Sequence, residues 1–185
     1  MKTLLKDITK IQTGLFAKPS GNGEVVYLQS KHFDENGHLL GELHPDLLSE
    51  GISQKHLLKD GDVLFAAKGT KNFAAVYEGH NPTAVASTSF FVIRLTDTTI
   101  LPEYLMWFLN HPTTQTILKN SARGTDIPSI RKSVLEDLEI SIPSLAKQRL
   151  VIRLATLAKK EYELRLAILQ QRKQFIEQQI INALI

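Results

Sequence analysis

The last 42 residues of the chain read SLAKQRLVIRLATLAKKEYELRLAILQQRKQFIEQQIINALI (residues 144–185) and contain neither glycine nor proline. All 10 glycines and all 7 prolines of the sequence precede this segment. Leu, Ile, Gln, Lys, Arg and Ala dominate it, a composition typical of a helix, and Ser144 suits an N-cap position. The sequence therefore predicts one long helix, which would extend about 60 Å at ~1.5 Å per residue.

The predicted helix carries two lines of apolar residues. The first line follows alternating steps of four and three, with polar breaks: Leu150, Leu154, Leu157, Leu164, Ile168 and Phe175. The second line lies beside it: Tyr162, Leu166, Leu169, Ile176, Ile180 and Leu184. An apolar face this wide is unfavourable on a helix alone in water. Docking against the chain's own domain would cover it, but we favour pairing with another long helix, because the helix outruns the domain.

Residues 1–143 have the pattern of a mixed domain. β-branched and aromatic residues between turn residues predict strands at Leu4–Ile11, Val25–Gln29, Asp62–Ala67, Ala74–Tyr77, Ser87–Leu95 and Leu138–Ile142. Helices are predicted at Ser53–Leu58, Pro102–Leu109 and Pro112–Asn120. We therefore expect an α/β (mixed α+β) domain over residues 1–143 and a separate helix over residues 144–185.

Composition excludes several classes of protein. The chain has no cysteine, which excludes disulfides, thiolate metal sites and cysteine nucleophiles and suits a reducing compartment. Asp7 interrupts any apolar run of a signal peptide, and no stretch approaches the ~18 apolar residues of a membrane span. We expect a soluble, cytoplasmic protein without a membrane partner.

The charge is unevenly distributed along the chain. The net charge is +3, from 22 Lys and Arg against 19 Asp and Glu. Residues 144–185 hold eight of the basic residues and three of the acidic ones, which leaves 14 basic and 16 acidic residues in residues 1–143. Any nucleic-acid surface on the domain must therefore come from local clustering.

No motif for catalysis is visible in the sequence. Gly-rich phosphate loops are missing, and Asn81-Pro82 lacks the following aromatic residue of an adenine or cytosine methyltransferase. No lysine has an acidic residue two positions before it, as a common metal-dependent nuclease would require. The six histidines are scattered, which argues against a metal site. Ser87-Thr88-Ser89 is interpreted as ordinary strand positions rather than as a nucleophile.

Three basic clusters remain as candidates for binding. The first comprises Lys2, Lys6, Lys10 and Lys18; the second Lys68 and Lys71; the third Lys119, Arg123, Arg131 and Lys132. The second and third lie at turns with small residues, where backbone amides can approach phosphates while longer side chains reach base edges. A solvated surface is the alternative interpretation of each cluster taken alone.

Five segments occur in an order that points to one family. They are LLKDITKIQTG (4–14), LLKDGDVLFAAKGT (57–70), STSFFVIRL (87–95), LPEYLMWFLN (101–110) and RGTDIPSIRKSVLEDLEISIPSLAKQRLVIRLATL (123–157). In this order the chain resembles one half of the specificity subunit of type I restriction-modification systems. Gln148 takes the place of the family's usual Gln, whereas Lys147 stands where the family usually has Glu.

The resemblance implies a DNA target recognition domain over residues 1–143 and a conserved dimerisation and spacer helix over residues 144–185. The family's full-length subunit has two such halves, whose helices pack antiparallel as a coiled coil. The resemblance thus implies a homodimer that sets two identical domains on double-stranded DNA. A separate modification subunit supplies S-adenosylmethionine and methylates adenine, and a restriction motor subunit can join. The chain itself would need no cofactor and would not be an enzyme.

Charge and turn position indicate the residues that would contact DNA. They are Lys18, Lys31, Lys68, Thr70, Lys71, Arg123, Thr125 and Asp126. Dimerisation is expected through the first apolar line, from Leu150 to Phe175. One alternative is a truncated interaction protein that pairs through its helix with modification or specificity subunits without reading DNA. Another is a stand-alone enzyme, which the absence of a convergent acid, base and nucleophile disfavours.

Overall fold

The computed structural model describes residues 2–21, 23–34, 36–69, 72–122 and 128–184. The chain divides into two compact units, Met1–Gln148 and Arg149–Ile185. The strands of the described part are β1 (Lys2–Leu4), β2 (Thr9–Thr13), β3 (Val26–Leu28), β4 (Val63–Ala66), β5 (Ala74–Val76), β6 (Ala84–Ala86), β7 (Phe90–Leu95) and β8 (Glu139–Ser141). The helices are α1 (Leu5–Ile8), α2 (Pro102–Asn110), α3 (Pro112–Asn120), α4 (Lys132–Glu136) and α5 (Leu145–Ala183), with 3-10 turns at Ser30–His32 and Gln54–His56.

A four-stranded antiparallel sheet in the order β2-β7-β4-β5 is the centre of the first unit. β3 and β6 form a separate parallel pair, and β1 pairs antiparallel with β8. The parallel pair is buried on both faces. Val26 and Ala84 pack in the same core cluster as Leu64 and Val92 of the sheet, whereas Tyr27 packs in a second cluster on the other side. Burial on both faces explains the continuous apolar runs of β3 and β6.

The predicted mixed α/β fold with a long C-terminal helix is confirmed. Part of the predicted strand Leu4–Ile11 is wrong, because Leu5–Ile8 forms α1. Leu5 and Ile8, three residues apart, are both buried, and the Thr9 hydroxyl donates to the Leu5 carbonyl at 2.7 Å, which closes the turn. The predicted helix Ser53–Leu58 is only a 3-10 turn.

The interpretation of Ser87-Thr88-Ser89 as strand positions is also wrong. Ser87 makes an isolated bridge to Leu15, and the next two residues form the turn between β6 and β7. The preceding strand β6 was not predicted, because two of its three residues are alanines, which have low β propensity. It is a strand because it is buried and pairs with β3.

Gln148 ties the first turn of α5 to the segment before α2. Its side chain is fully buried. Its Oε1 accepts from the Leu101 amide at 2.9 Å, and its Nε2 donates to the carbonyls of Thr99 at 2.7 Å and Pro143 at 2.8 Å. All polar atoms of the amide thus have partners, which burial of such a group requires.

The second unit is the remainder of α5, taken by itself. Both predicted apolar lines lie along it, and their side chains have exposed fractions between 48% and 82%. Ion pairs at i, i+4, such as Lys159–Glu163 and Lys173–Glu177, lie on the polar part of its surface and support a helix in water. Among the described helices, none combines the length and apolar character needed to cross a membrane.

Candidate nucleic-acid interface

One end of the four-stranded sheet collects the connections that matter for binding. β2 and β4 end there, while β7 and β5 begin there, as the pairing of Thr13 with Phe91 and of Phe65 with Ala74 shows. The parallel pair ends at the same place. The Ser87 amide donates to the Leu28 carbonyl at 2.8 Å, and the Leu15 amide, just after β2, donates to the Ala86 carbonyl at 2.7 Å. We call this edge the loop end of the first unit.

Two described segments that are distant in sequence, residues 67–69 and 128–130, meet at the loop end. Lys68 forms an isolated antiparallel bridge with Ser129. The Gly69 amide donates to the Pro128 carbonyl at 3.0 Å, and the Ile130 amide donates to the Ala67 carbonyl at 2.9 Å. Residues 67–69 and 128–130 therefore have adjacent backbones, although about 60 residues separate them.

Several predicted DNA-binding residues lie outside the described residues. They are Thr70, Lys71, Arg123, Thr125 and Asp126. Thr70 follows Gly69 directly, and Pro128 comes two residues after Asp126. Gly69 and Pro128 are described residues that flank these two segments, and a hydrogen bond joins them.

The described candidate lysines all lie on connections at the loop end. Lys68 follows β4, Lys31 lies in the 3-10 turn just after β3, and Lys18 follows β2. All three are exposed. These three side chains place positive charges on the connections, although residues 1–143 as a whole have a slight acidic excess.

The first basic cluster of the sequence does not stay together. Lys2 pairs with Glu139 at 3.4 Å and Lys6 with Asp137 at 3.0 Å, beside the β1–β8 pair. The hydrogen bond and charge of Asp137 raise the pKa of Lys6 above its ordinary value. Lys10 lies in β2 opposite Arg94, towards the other end of the sheet. Only Lys18 of this cluster is part of the loop end.

An aromatic cluster anchors the connections that carry the lysines. Phe33, Phe73 and Phe90 are buried, and their ring centroids lie 5.5 to 6.0 Å apart in tilted and edge-to-face arrangements. Phe33 comes two residues after Lys31, and Phe73 lies on the same β4–β5 connection as Lys68. Ring pairs of this kind stabilise beyond their buried area, so the cluster stabilises the base of the loop end.

His32 contributes no positive charge to the loop end near neutral pH. Burial, helped by the neighbouring charge of Lys31, lowers the pKa of its imidazole below the ordinary value. Its Nδ1 accepts a hydrogen bond from the Gln29 amide at 3.2 Å, which requires that nitrogen to be unprotonated. The basic character of this turn therefore comes from Lys31.

Phe16, an aromatic residue two positions before Lys18, is 72% exposed and was not among the predicted binding residues. Its neighbours Leu15 and Ala17 pack against the second core cluster. An aromatic residue between two apolar ones after a strand gives the same sequence signal whether it is buried or exposed. Among the described residues, no group of three or more His, Asp or Glu is placed to hold a metal ion.

The family described as type I restriction modification DNA specificity domains matches residues 2–178. The chain belongs to this family. A protein of Methanocaldococcus jannaschii described as the type I restriction enzyme MjaX specificity subunit is 29% identical over 112 residues, or 58% of this chain and 26% of that protein. The predicted resemblance to one half of a specificity subunit is thereby confirmed.

Solved structures of specificity subunits share the fold. The S subunit from M. genitalium aligns with a TM-score of 0.60 at 16% identity, covering 88% of this chain and 40% of that one. The HsdS subunit from Thermoanaerobacter tengcongensis aligns with a TM-score of 0.62 at 15% identity, covering 87% and 37%. The chain thus spans about a quarter of the curated relative and about two fifths of these structures, which fits one target recognition domain. Specificity subunits of type I systems are non-catalytic, in agreement with the prediction that the chain is not an enzyme.

Proposed function

We propose that the chain reads a short sequence in double-stranded DNA through its loop end and directs a modification subunit to that site. The observation that carries this proposal is the bridge between Lys68 and Ser129, which joins the described residues that flank two basic segments of the sequence. Lys18 and Lys31 lie on connections at the same end. In this proposal residues 1–143 are the recognition domain and residues 144–185 the dimerisation and spacer helix.

Two kinds of contact are assigned to the loop end. The exposed lysines would neutralise phosphates and set the position on the duplex, a contribution that depends on salt but not on sequence. The residues of the two turns, Thr70, Lys71, Arg123, Thr125 and Asp126, would reach base edges, which carry the sequence information. Single substitutions in the lysines and in the two turns should therefore have different effects on DNA binding.

Lys68→Ala is expected to weaken binding of duplex DNA about three- to tenfold at moderate salt. The variant should also reduce the slope of log K against log salt by about one, because one phosphate contact is lost. Fluorescence anisotropy with a labelled duplex, repeated over a salt series, measures both quantities. The matched control is Lys59→Ala. Lys59 is also exposed, but it precedes β4, whereas Lys68 follows that strand. If both variants bind like the wild type, or both lose the same affinity, Lys68 has no special part in binding.

The helix is assigned to pairing with a second copy of the chain. Its first apolar line, from Leu150 to Phe175, is exposed along α5, and the 39 helical residues extend about 58 Å. Alternating steps of four and three residues are those of a coiled-coil seam. We therefore propose an antiparallel helix pair in a homodimer, whose two identical domains would favour a symmetric, interrupted DNA target.

The double variant Leu164→Glu, Ile168→Glu is expected to weaken the dimer about 30-fold, because it places charges inside the proposed seam. Light scattering over a dilution series gives the dissociation constant. Gln170→Glu with Gln174→Glu adds the same charge on the polar part of the helix and should leave the dimer intact. A wild-type chain that is monomeric at all concentrations would overturn the homodimer and leave the seam for a different partner.

The modification subunit is proposed as the second protein partner, with a restriction motor subunit able to join the complex. This function would place the chain in the cytoplasm, with the cell's DNA. A second candidate function is a regulatory protein that pairs through its helix without reading DNA. The slight acidic excess of residues 1–143, 16 acidic against 14 basic residues, favours it. It predicts no loss of DNA binding in Lys68→Ala, so the salt series separates the two.

A further inference from the structure

Phe16 is the most exposed large apolar side chain among the described residues of the first unit, at 72%. It lies three residues after the end of β2, at the loop end, and two residues before Lys18. Two residues of extended chain span only about 7 Å. A phosphate held by Lys18 would therefore bring the neighbouring bases within reach of the Phe16 ring.

The backbone on both sides of Phe16 is fixed by one buried hydroxyl. Tyr27, which is 3% exposed, donates from its hydroxyl to the Leu15 carbonyl at 3.0 Å and accepts from the Ala17 amide at 3.2 Å. The Leu15 amide also donates to the Ala86 carbonyl at 2.7 Å. A phenolic hydroxyl can do both at once, since it is a donor and an acceptor.

This arrangement explains why the ring is outside. Leu15 and Ala17 pack against the core cluster of Val25, Tyr27, Leu47 and Val85, and the residue between them points the other way. Burial of a phenyl ring is favourable, so a loop free to move would turn the ring inward. Here the two hydrogen bonds of the Tyr27 hydroxyl hold the backbone in the conformation that leaves the ring in water. The exposure of Phe16 is thus a consequence of how the backbone on both sides of it is held.

We infer that Phe16 is a specificity-determining residue that makes an apolar contact with the bases of the DNA target. Apolar side chains read the thymine methyl group in the major groove or pack against base steps, and neither contact involves a phosphate. Phe16 would therefore contribute to sequence preference, whereas Lys18 beside it would contribute to affinity for any duplex. This inference rests on the function proposed above.

The test begins with selection of duplexes from a randomised pool by the full chain together with the modification subunit from the same source. Phe16→Ala is expected to bind the selected duplex about tenfold more weakly, to keep the wild-type affinity for an unrelated duplex, and to keep the salt slope. Its own selection should relax at least one position of the target. Phe16→Leu, which keeps part of the apolar surface, should give an intermediate loss.

Leu48→Ala is the matched control. Leu48 is 60% exposed in the same unit, but it follows Leu47, which bridges to Val25 at the opposite end of β3. This variant should select and bind like the wild type. Thermal unfolding of all three variants should match the wild type, because the replaced side chains are exposed.

Failure of the proposed function and failure of the inference about Phe16 would give different results. If the wild-type complex enriches no sequence, the proposed function fails and the role of Phe16 fails with it. If the wild-type complex enriches a sequence that Phe16→Ala enriches and binds equally well, only the inference about Phe16 is overturned. A parallel loss of affinity for the selected and the unrelated duplex would likewise overturn it, since that is the signature of a phosphate contact.

Discussion

Gly14→Ala is expected to lower the free energy of unfolding of the first unit by about 3 kcal/mol. A Cβ atom at this position would lie 2.1 Å from the Ser87 carbonyl oxygen and 2.4 Å from that of Ala86. Both neighbours are backbone atoms, so no side chain can rotate away. The end of β2 would have to separate from residues 86–87, and the hydrogen bond from the Leu15 amide to the Ala86 carbonyl would be lost.

The same change should also damage DNA binding, because the displaced segment leads to Phe16 and Lys18. Urea unfolding measures the loss of stability, with an unchanged m-value as the sign that the unfolded reference is the same. Gly41→Ala is the control, since a Cβ at Gly41 meets no atom within 4 Å, and it should alter stability by less than about 0.5 kcal/mol. A Gly14→Ala variant as stable as Gly41→Ala would show that the close approach to Ser87 is absent in solution.

The long helix was predictable because its determinants are local. Helix-forming residues without glycine or proline over residues 144–185 dictate α5 whatever surrounds them. The strand β6 is the opposite case. Ala84 and Ala86 have low β propensity, and pairing with β3, almost 60 residues earlier in the chain, makes the segment a strand. The helical turn α1 likewise depends on burial of Leu5 and Ile8, which an apolar run cannot distinguish from a strand.

The candidate site was likewise predictable only in part. The lysines and small residues of each turn are visible in the sequence, but their assembly depends on the bridge from Lys68 to Ser129. The grouping of Lys2 and Lys6 with Lys18 failed because β1 pairs with β8, which brings Glu139 and Asp137 to those lysines. Phe16 was invisible because its exposure depends on a hydroxyl of Tyr27, 11 positions away. The charge of a residue can be read from the sequence, whereas the residues that lie beside it are determined by the tertiary fold.

Gln148→Leu is the second change with a large expected effect, a loss of about 3 kcal/mol in the free energy of unfolding of the first unit. The leucine fills a similar volume but leaves the Leu101 amide and the carbonyls of Thr99 and Pro143 without the partners that they have now. A buried polar group left unpaired costs about 1–3 kcal/mol. Nearby solvent can satisfy some of the three, which limits the total.

A graded series separates this role from a general sensitivity of α5. Gln148→Glu keeps the oxygen that accepts from the Leu101 amide but loses both donors, and a charged side chain at a fully buried position adds a desolvation cost. Its stability should therefore rise as pH falls towards protonation of the carboxyl, because burial raises the pKa of such a group and the protonated form can donate to a carbonyl again. Gln170→Leu, at an exposed position of the same helix, should change stability by less than about 0.5 kcal/mol. Equal effects at Gln148 and Gln170 would mean that the amide is not the tie between the first turn of α5 and the segment Thr99–Leu101.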